Sequence, residues 1–321
     1  MTMTFRRTAL SLAAATLMLV TPVTTPAFAA PAVVDIITVG DSPFSVAFSP
    51  NGKKAFVANI SDDTVSVITV ATGDVTDTIP VGDYPASVAF SPNGKKAYVV
   101  NTLDGTVSVI TVATGDMVDT IPVGNGPRSV AISPNGKKAY VANSNDSTVS
   151  VIRAATGDVV DTIPVGENPY SVAISPNGKK AYVGNADDTV SVITVATGDV
   201  TDTIPVGDSP VSVAFSPNGK KAFVTNDNDD TVSVITVATG DVTDTIPVGN
   251  YPSSVAFSPN GKRAYVTNLF DDTVSVITVA SGDVTNTIPV GDGPASVAFS
   301  PNGKRAYVAN TNGATVSVIK N

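Results

Sequence analysis

The stretch Ser258-Pro-Asn-Gly-Lys-Arg-Ala-Tyr-Val-Thr-Asn268 decides how the chain folds. Its opening Ser-Pro-Asn-Gly recurs at Ser49, Ser91, Ser133, Ser175, Ser216, Ser258 and Ser300, at steps of 42, 42, 42, 41, 42 and 42 residues. Between these markers lie only short runs rich in β-branched and aromatic residues, separated by turn residues. No helical periodicity is present after residue 29. A repeat of this length built from strands and turns predicts an all-β, seven-bladed β-propeller of four-stranded antiparallel blades.

Within the first repeat the spacing predicts strand a over Ser45–Ser49, b over Lys54–Asn59, c over Thr64–Val70 and d over Val75–Val81. Ser49-Pro50-Asn51-Gly52 has the residue preferences of a type I turn, and Ala71-Thr72-Gly73-Asp74 forms the c–d turn. Alanine at the centre of strand a (Ala47, Ala89, Ala131, Ala173, Ala214, Ala256, Ala298) suits the crowded ring axis. Proline in strand d (Pro80, Pro122, Pro164, Pro205, Pro247, Pro289) suits an outer edge, where no ladder donor is missed. The phenyl or phenol ring in strand b (Phe56, Tyr98, Tyr140, Tyr182, Phe223, Tyr265, Tyr307) holds one blade position and reads as core. The last repeat ends after strand c, while Val33–Val39 matches a strand d with no blade before it. The N-terminal strand is therefore expected to complete the seventh blade and close the ring.

Residues 1–29 read as a signal peptide: Arg6 and Arg7, an apolar run over Thr8–Val20, and a small-x-small motif at Ala27-Phe28-Ala29. Residues 30–321 then form a single propeller domain, secreted, periplasmic or held at the cell envelope, without a transmembrane segment once the leader is cleaved. The chain has no Cys, His or Trp and a formal net charge of −9. Lack of His removes the commonest general base and metal ligand. The acidic balance argues against nucleic acid.

Tyr265-Val266-Thr267-Asn268 and its variants Phe56–Asn59, Tyr140–Asn143 and Phe223–Asn226, with the Ser-Pro-Asn-Gly and Ala-Thr-Gly-Asp turns, resemble the YVTN-repeat β-propellers. The resemblance implies a seven-bladed propeller of the surface-layer and exported type, acting as a binding or adhesive module, and carries no catalytic residues with it. Related propellers include lactonases and redox-enzyme subunits. The absence of His from this chain argues against a haem or copper role.

The a–b and c–d turns hardly vary among the seven copies, whereas the d–a and b–c loops do. Strand alternation puts both variable loops on one face. There the residues after the loop proline (Phe44, Ala86, Arg128, Tyr170, Val211, Ser253, Ala295) are expected to ring the channel mouth, with Tyr84 and Tyr251 just before it and Leu103, Leu269 and Phe270 in b–c loops. Aromatics and one Arg on a rigid rim are residue types that anchor interfaces. Phe44, Tyr84, Arg128, Tyr170, Tyr251 and Phe270 are thus the expected contacts to a protein or glycan partner, for a monomeric, non-enzymatic scaffold. The same face carries 16 of the 28 acidic residues. Its densest cluster, Asp227, Asp229 and Asp230, offers oxygen ligands for Ca²⁺ but lacks the Gly and distal Glu of an EF-hand loop. Two alternatives stay open: a lactonase-like hydrolase using Arg128 and rim carboxylates, and a structural envelope protein whose acidic faces Ca²⁺ bridges.

Overall fold

Every blade starts at a proline, and the first six end at one. In a computed structural model, which describes residues 1–2 and 30–321, the first blade consists of strands Pro43–Phe48, Lys54–Asn59, Thr64–Thr69 and Val75–Pro80, hydrogen-bonded in that order. Five further four-stranded sheets repeat this arrangement. In the seventh, Ala32–Thr38 pairs antiparallel with Thr315–Lys320, outside Arg305–Asn310 and Pro294–Phe299. The fold is a seven-bladed all-β propeller, and the N-terminal strand supplies the missing outer strand of the last blade. Pro31–Asn321 form one compact unit. The expected signal peptide, including its Ala27-Phe28-Ala29 motif, lies outside the described residues. Among the described residues no helix is long and apolar enough to cross a membrane.

The core lies between blades. Phe56, Val65, Val67 and Ile79 of blade 1 pack against Val88, Ala97, Val99 and Ile110 of blade 2, and the same set recurs around the ring. At the closing seam, Ile37, Tyr307 and Val316 meet Val46, Ala55, Val57 and Ile68 of blade 1. The strand-b rings are fully buried, as their periodicity requires. Phe56 meets Phe90 of the next blade with ring centroids 4.8 Å apart, and Tyr307 meets Phe48 at 4.6 Å across the seam.

Polar residues that repeat also work between blades. Ser45 Oγ accepts the Val88 amide at 3.2 Å, and six equivalent bonds follow, the last joining Val46 N to Ser296 Oγ at 3.4 Å. This seam encircles the channel. The terminal Asn of the Tyr-Val-Thr-Asn stretch is buried: Asn268 Nδ2 donates to Thr273 Oγ1 and Ser275 Oγ, both at 2.9 Å. Glycine in the following loop is required by this contact, since a Cβ on Gly249 would stand 2.7 Å from Asn268.

Candidate functional site at the channel mouth

The first two residues of each strand a do not pair regularly. In every blade the register slips between the proline and the residue two beyond it, as between Pro127 and Ser129. The extra residue of each bulge is Phe44, Ala86, Arg128, Tyr170, Val211, Ser253 or Ala295. A bulge re-aims the side chain it frees. Here it turns all seven toward the axis, where they line one cavity of about 400 Å³ at the channel mouth. Arg128 and Tyr170 come from adjacent blades, and the Arg128 Cζ lies 5.0 Å from the Tyr170 ring centroid. Such a contact contributes about 0.5–1 kcal/mol where exposed.

Loop geometry supplies the second layer. The residue before the proline has φ near +55° in every blade, from Asn168 at +45° to Gly293 at +63°. Gly126 and Gly293 occupy this left-handed conformation freely. Tyr84 (φ +58°) and Tyr251 (φ +56°) do not, because a Cβ crowds the carbonyl there. Several of these loops are clamped by a carboxylate of the preceding blade: Asp63 accepts the Tyr84 amide at 2.8 Å, Asp188 that of Ser209 at 2.9 Å, and Asp230 that of Tyr251 at 2.8 Å, while the Ser147 hydroxyl accepts that of Asn168 at 3.4 Å. The neighbouring aspartate clamps its own blade's loop, as Asp62 does for Asp41 N at 2.6 Å and Asp229 for Asp208 N at 2.7 Å. Asp146 shows the electrostatic consequence: the hydrogen bond from the Asn125 amide, followed by that from its side chain, holds the carboxyl below the usual carboxylate range. Repeated Asp pairs on this face are thus amide acceptors that fix the loops.

Tyr84 gives a test of this strain. Its side chain is 37% exposed and its amide clamp does not depend on the ring. Tyr84→Gly is expected to raise stability by about 1–2 kcal/mol, an increase of about 2–4 °C in melting temperature per kcal/mol for a domain of this size class. A lower melting temperature would mean that the ring contributes more packing than its backbone costs.

The expected site residues separate into groups. Phe44, Arg128, Tyr170 and Tyr251 line the shared cavity. Phe270, 69% exposed, packs its ring against Tyr251 with centroids 4.6 Å apart and extends the wall outward. Tyr84 stands on the same face but is not part of the cavity lining. The acidic trio diverges: Asp229 and Asp230 hold backbone amides, while Asp227 lines the cavity. Among the described residues no group of three or more carboxylates is arranged around a common metal position.

Asp227 is the residue the sequence pattern undervalued. It is 5% exposed, and its Oδ1 has no hydrogen-bond partner among the described residues. The Ser209 and Tyr251 side chains and the Asn228 amide face the carboxyl group. Burial is the dominant influence and pushes its pKa above the usual carboxylate range; the hydroxyls oppose this only in part. Burial also pushes the Tyr251 phenol up, with Asp227 adding to it. The available signal was positional: the slot directly after the repeat Asn holds Ile60, Thr102, Ser144, Ala186, Leu269 and Thr311 in the other blades, so Asp227 is the single acid there.

A raised carboxyl pKa has a defined sign in stability. The folded state binds the proton more tightly than the unfolded chain, so stability falls as pH rises from the unfolded pKa through the folded one. Asp227→Asn is therefore expected to melt higher than the wild type at pH 7 and to match it at pH 3, below both pKa values. A variant that melts lower at pH 7 would show that the ionised carboxylate is held by partners stronger than its desolvation.

A family model of seven-bladed β-propeller lactonases matches residues 117–255. That segment contains Arg128, Tyr170, Asp227 and Tyr251. Among solved structures, the hydrazine synthase of Kuenenia stuttgartiensis is similar, with a TM-score of 0.81 and 28% identity over 89% of this chain and 97% of that one. No curated protein matches the chain.

Proposed function

We propose that the chain is an exported binding module of the YVTN-repeat type, which takes a protein segment or glycan of the cell envelope at the channel mouth. The observation that carries this reading is the convergence of all seven bulge residues on one cavity, walled by Phe44, Tyr170 and Tyr251 and furnished with Arg128 and the buried Asp227. Aromatic faces and paired polar groups in a rigid concavity suit sugar rings and side-chain ends alike. Two tyrosines kept at positive φ, where glycine would be more stable, support a role for the rim beyond folding. Export rests on the leader pattern over residues 1–29.

The test is retention of an envelope component by the propeller and its loss from a variant with Phe44, Arg128, Tyr170 and Tyr251 all changed to Ala. A second reading, a lactonase-like hydrolase, is favoured by the family match over 117–255 and by a buried carboxyl group, with its pKa raised by burial, in the same cavity as Arg128. Lactone opening that disappears in both Arg128→Ala and Asp227→Asn would carry it.

A further inference from the structure

The opposite face carries a second site, between blades 2 and 3. Its a–b turns repeat Lys pairs around the ring, and in most places the second cation bridges blades. Lys54 Nζ donates to the Val112 carbonyl at 2.9 Å, Lys180 to Val237 and Lys221 to Val279 at 3.1 Å, and Arg305 to Val70 at 2.8 Å. Neither Lys138, opposite Val195, nor Lys96 makes such a bond among the described residues. The acceptor position Lys96 would reach is Ala154, where other blades have Val70, Val112, Val195, Val237 and Val279. The residue before it is Arg153 in place of threonine.

These replacements go together. In blades 1, 4 and 6 the threonine beginning this turn faces a second threonine on strand d: Thr69 with Thr76, Thr194 with Thr201 and Thr278 with Thr285, each pair at 3.4 Å. In blade 3 the same pair is Arg153 and Val160, and Val160 is the residue left over where the register slips between Val151 and Ile152. Loss of the valine methyls at Ala154 deepens the groove. Its volume is about 690 Å³, against about 530 and 540 Å³ for the equivalent grooves between blades 7 and 1 and between blades 3 and 4.

The groove has an amphipathic lining. Ala154, Ala155, Val160 and the Tyr98 ring form its base, and Lys95, Lys96, Lys137, Lys138 and Arg153 stand around it. Two acids oppose these cations. Asp158 pairs with Arg153 at 3.5 Å, with both side chains more than half exposed, and Asp119 lies on the far side of Gly157 near Tyr98. An exposed pair of this kind contributes about 0–1 kcal/mol and yields readily to a better acceptor.

We propose that this groove binds a small organic phosphate or sulfate ester, the acidic head held by Arg153, Lys96 and the flanking lysines and the apolar body seated on Ala154 and Val160. Arginine offers two parallel donors to such a head, and the free Lys96 adds a mobile point charge. The site is separate from the channel mouth and independent of what binds there.

Titration calorimetry of the full chain with phenyl phosphate and with inorganic phosphate tests the proposal. Phenyl phosphate is expected to bind one site, more tightly than inorganic phosphate, and to weaken as salt rises. R153T/A154V, which restores the residues of the other blades and so keeps the fold, is expected to weaken phenyl phosphate by about tenfold or more. T194R/V195A, which copies the Arg-Ala pair of the site into the groove between blades 3 and 4, is expected to add binding capacity there. Unchanged affinity in R153T/A154V would overturn the proposal, since the shared turn lysines would then account for binding. So would equal affinity for the two phosphates, or no binding at millimolar phenyl phosphate.

Discussion

A chain that begins at Gly40 is expected to lose its cooperative melting transition, or to melt far below the chain that begins at Ala30. Removing Ala32–Thr38 takes away six registered pairs with Thr315–Lys320, the Val39 amide bond to Ala314 O at 3.1 Å, and the side chains of Val33, Ile37 and Val39 from the seams on either side of blade 7. Full burial of one such side chain contributes about 1.5–3 kcal/mol and each hydrogen bond about 1 kcal/mol net. The sum reaches the order of 5–15 kcal/mol that separates a folded domain from its unfolded chain. The loss also uncovers Thr315–Lys320, an apolar edge ready to pair with another molecule. The measurement is urea denaturation and gel filtration of 30–321 and 40–321, with a synthetic peptide spanning 30–40 added to the shorter chain. Recovery of the transition by the peptide would assign the effect to the missing strand. If 40–321 unfolds at the same denaturant concentration as 30–321, the closing strand is an ornament and the ring is held by its inner seam.

That closure was legible because strand count is a property of local sequence. Turn residues mark each boundary, small residues mark the inner strand, and proline marks the edge, so a spare strand at one end and a missing one at the other could be matched without coordinates. The ring of residues after the loop proline was legible for the same reason. What was not legible depends on contacts between blades. Asp227 lies in blade 5, while Tyr251, which faces it, precedes strand a of blade 6; only the closed ring shows that they meet. Read locally, Asp227-Asn228-Asp229-Asp230 is an acidic run with metal-ligand composition. In the fold its members part, two toward amides and one toward the cavity, because neighbouring loop residues point in different directions. The left-handed backbone of Tyr84 and Tyr251 is equally hidden, since tyrosine is among the last residues one would place there. Lys96 is the mirror case: its residue type is the same as in other blades, and what sets its groove apart is Arg153 and Ala154, contributed by the next blade.

The variant with Phe44, Arg128, Tyr170 and Tyr251 all changed to Ala is expected to fold and to lose its partner. Folding should survive because Phe44, Arg128 and Tyr170 project from bulges and Tyr251 from the loop before its strand, outside the paired ladder, and none belongs to the interblade clusters. Alanine at Tyr251 gives up its stack with Phe270, and alanine at Arg128 its contact with Tyr170, which together come to about 1–2 kcal/mol. Binding should fall much further. Central aromatic and arginine anchors each carry about 2 kcal/mol or more when they seat a partner, so losing four would reduce affinity by several orders of magnitude. The measurement is capture of envelope and culture-medium components by immobilised 30–321 and by the variant, followed by titration of whatever the first retains. Single changes should be graded: Arg128→Ala and Tyr170→Ala, which share one contact, should lose less together than the sum of their separate losses, while Phe44→Ala, two blades away from Arg128 in the ring, should add more nearly independently. Equal retention by the variant and the wild type would remove the channel mouth from consideration. A partner that is lost with Tyr84→Ala and Phe270→Ala but kept with the cavity residues would move the contact outward, to the raised rim where those two rings stand exposed.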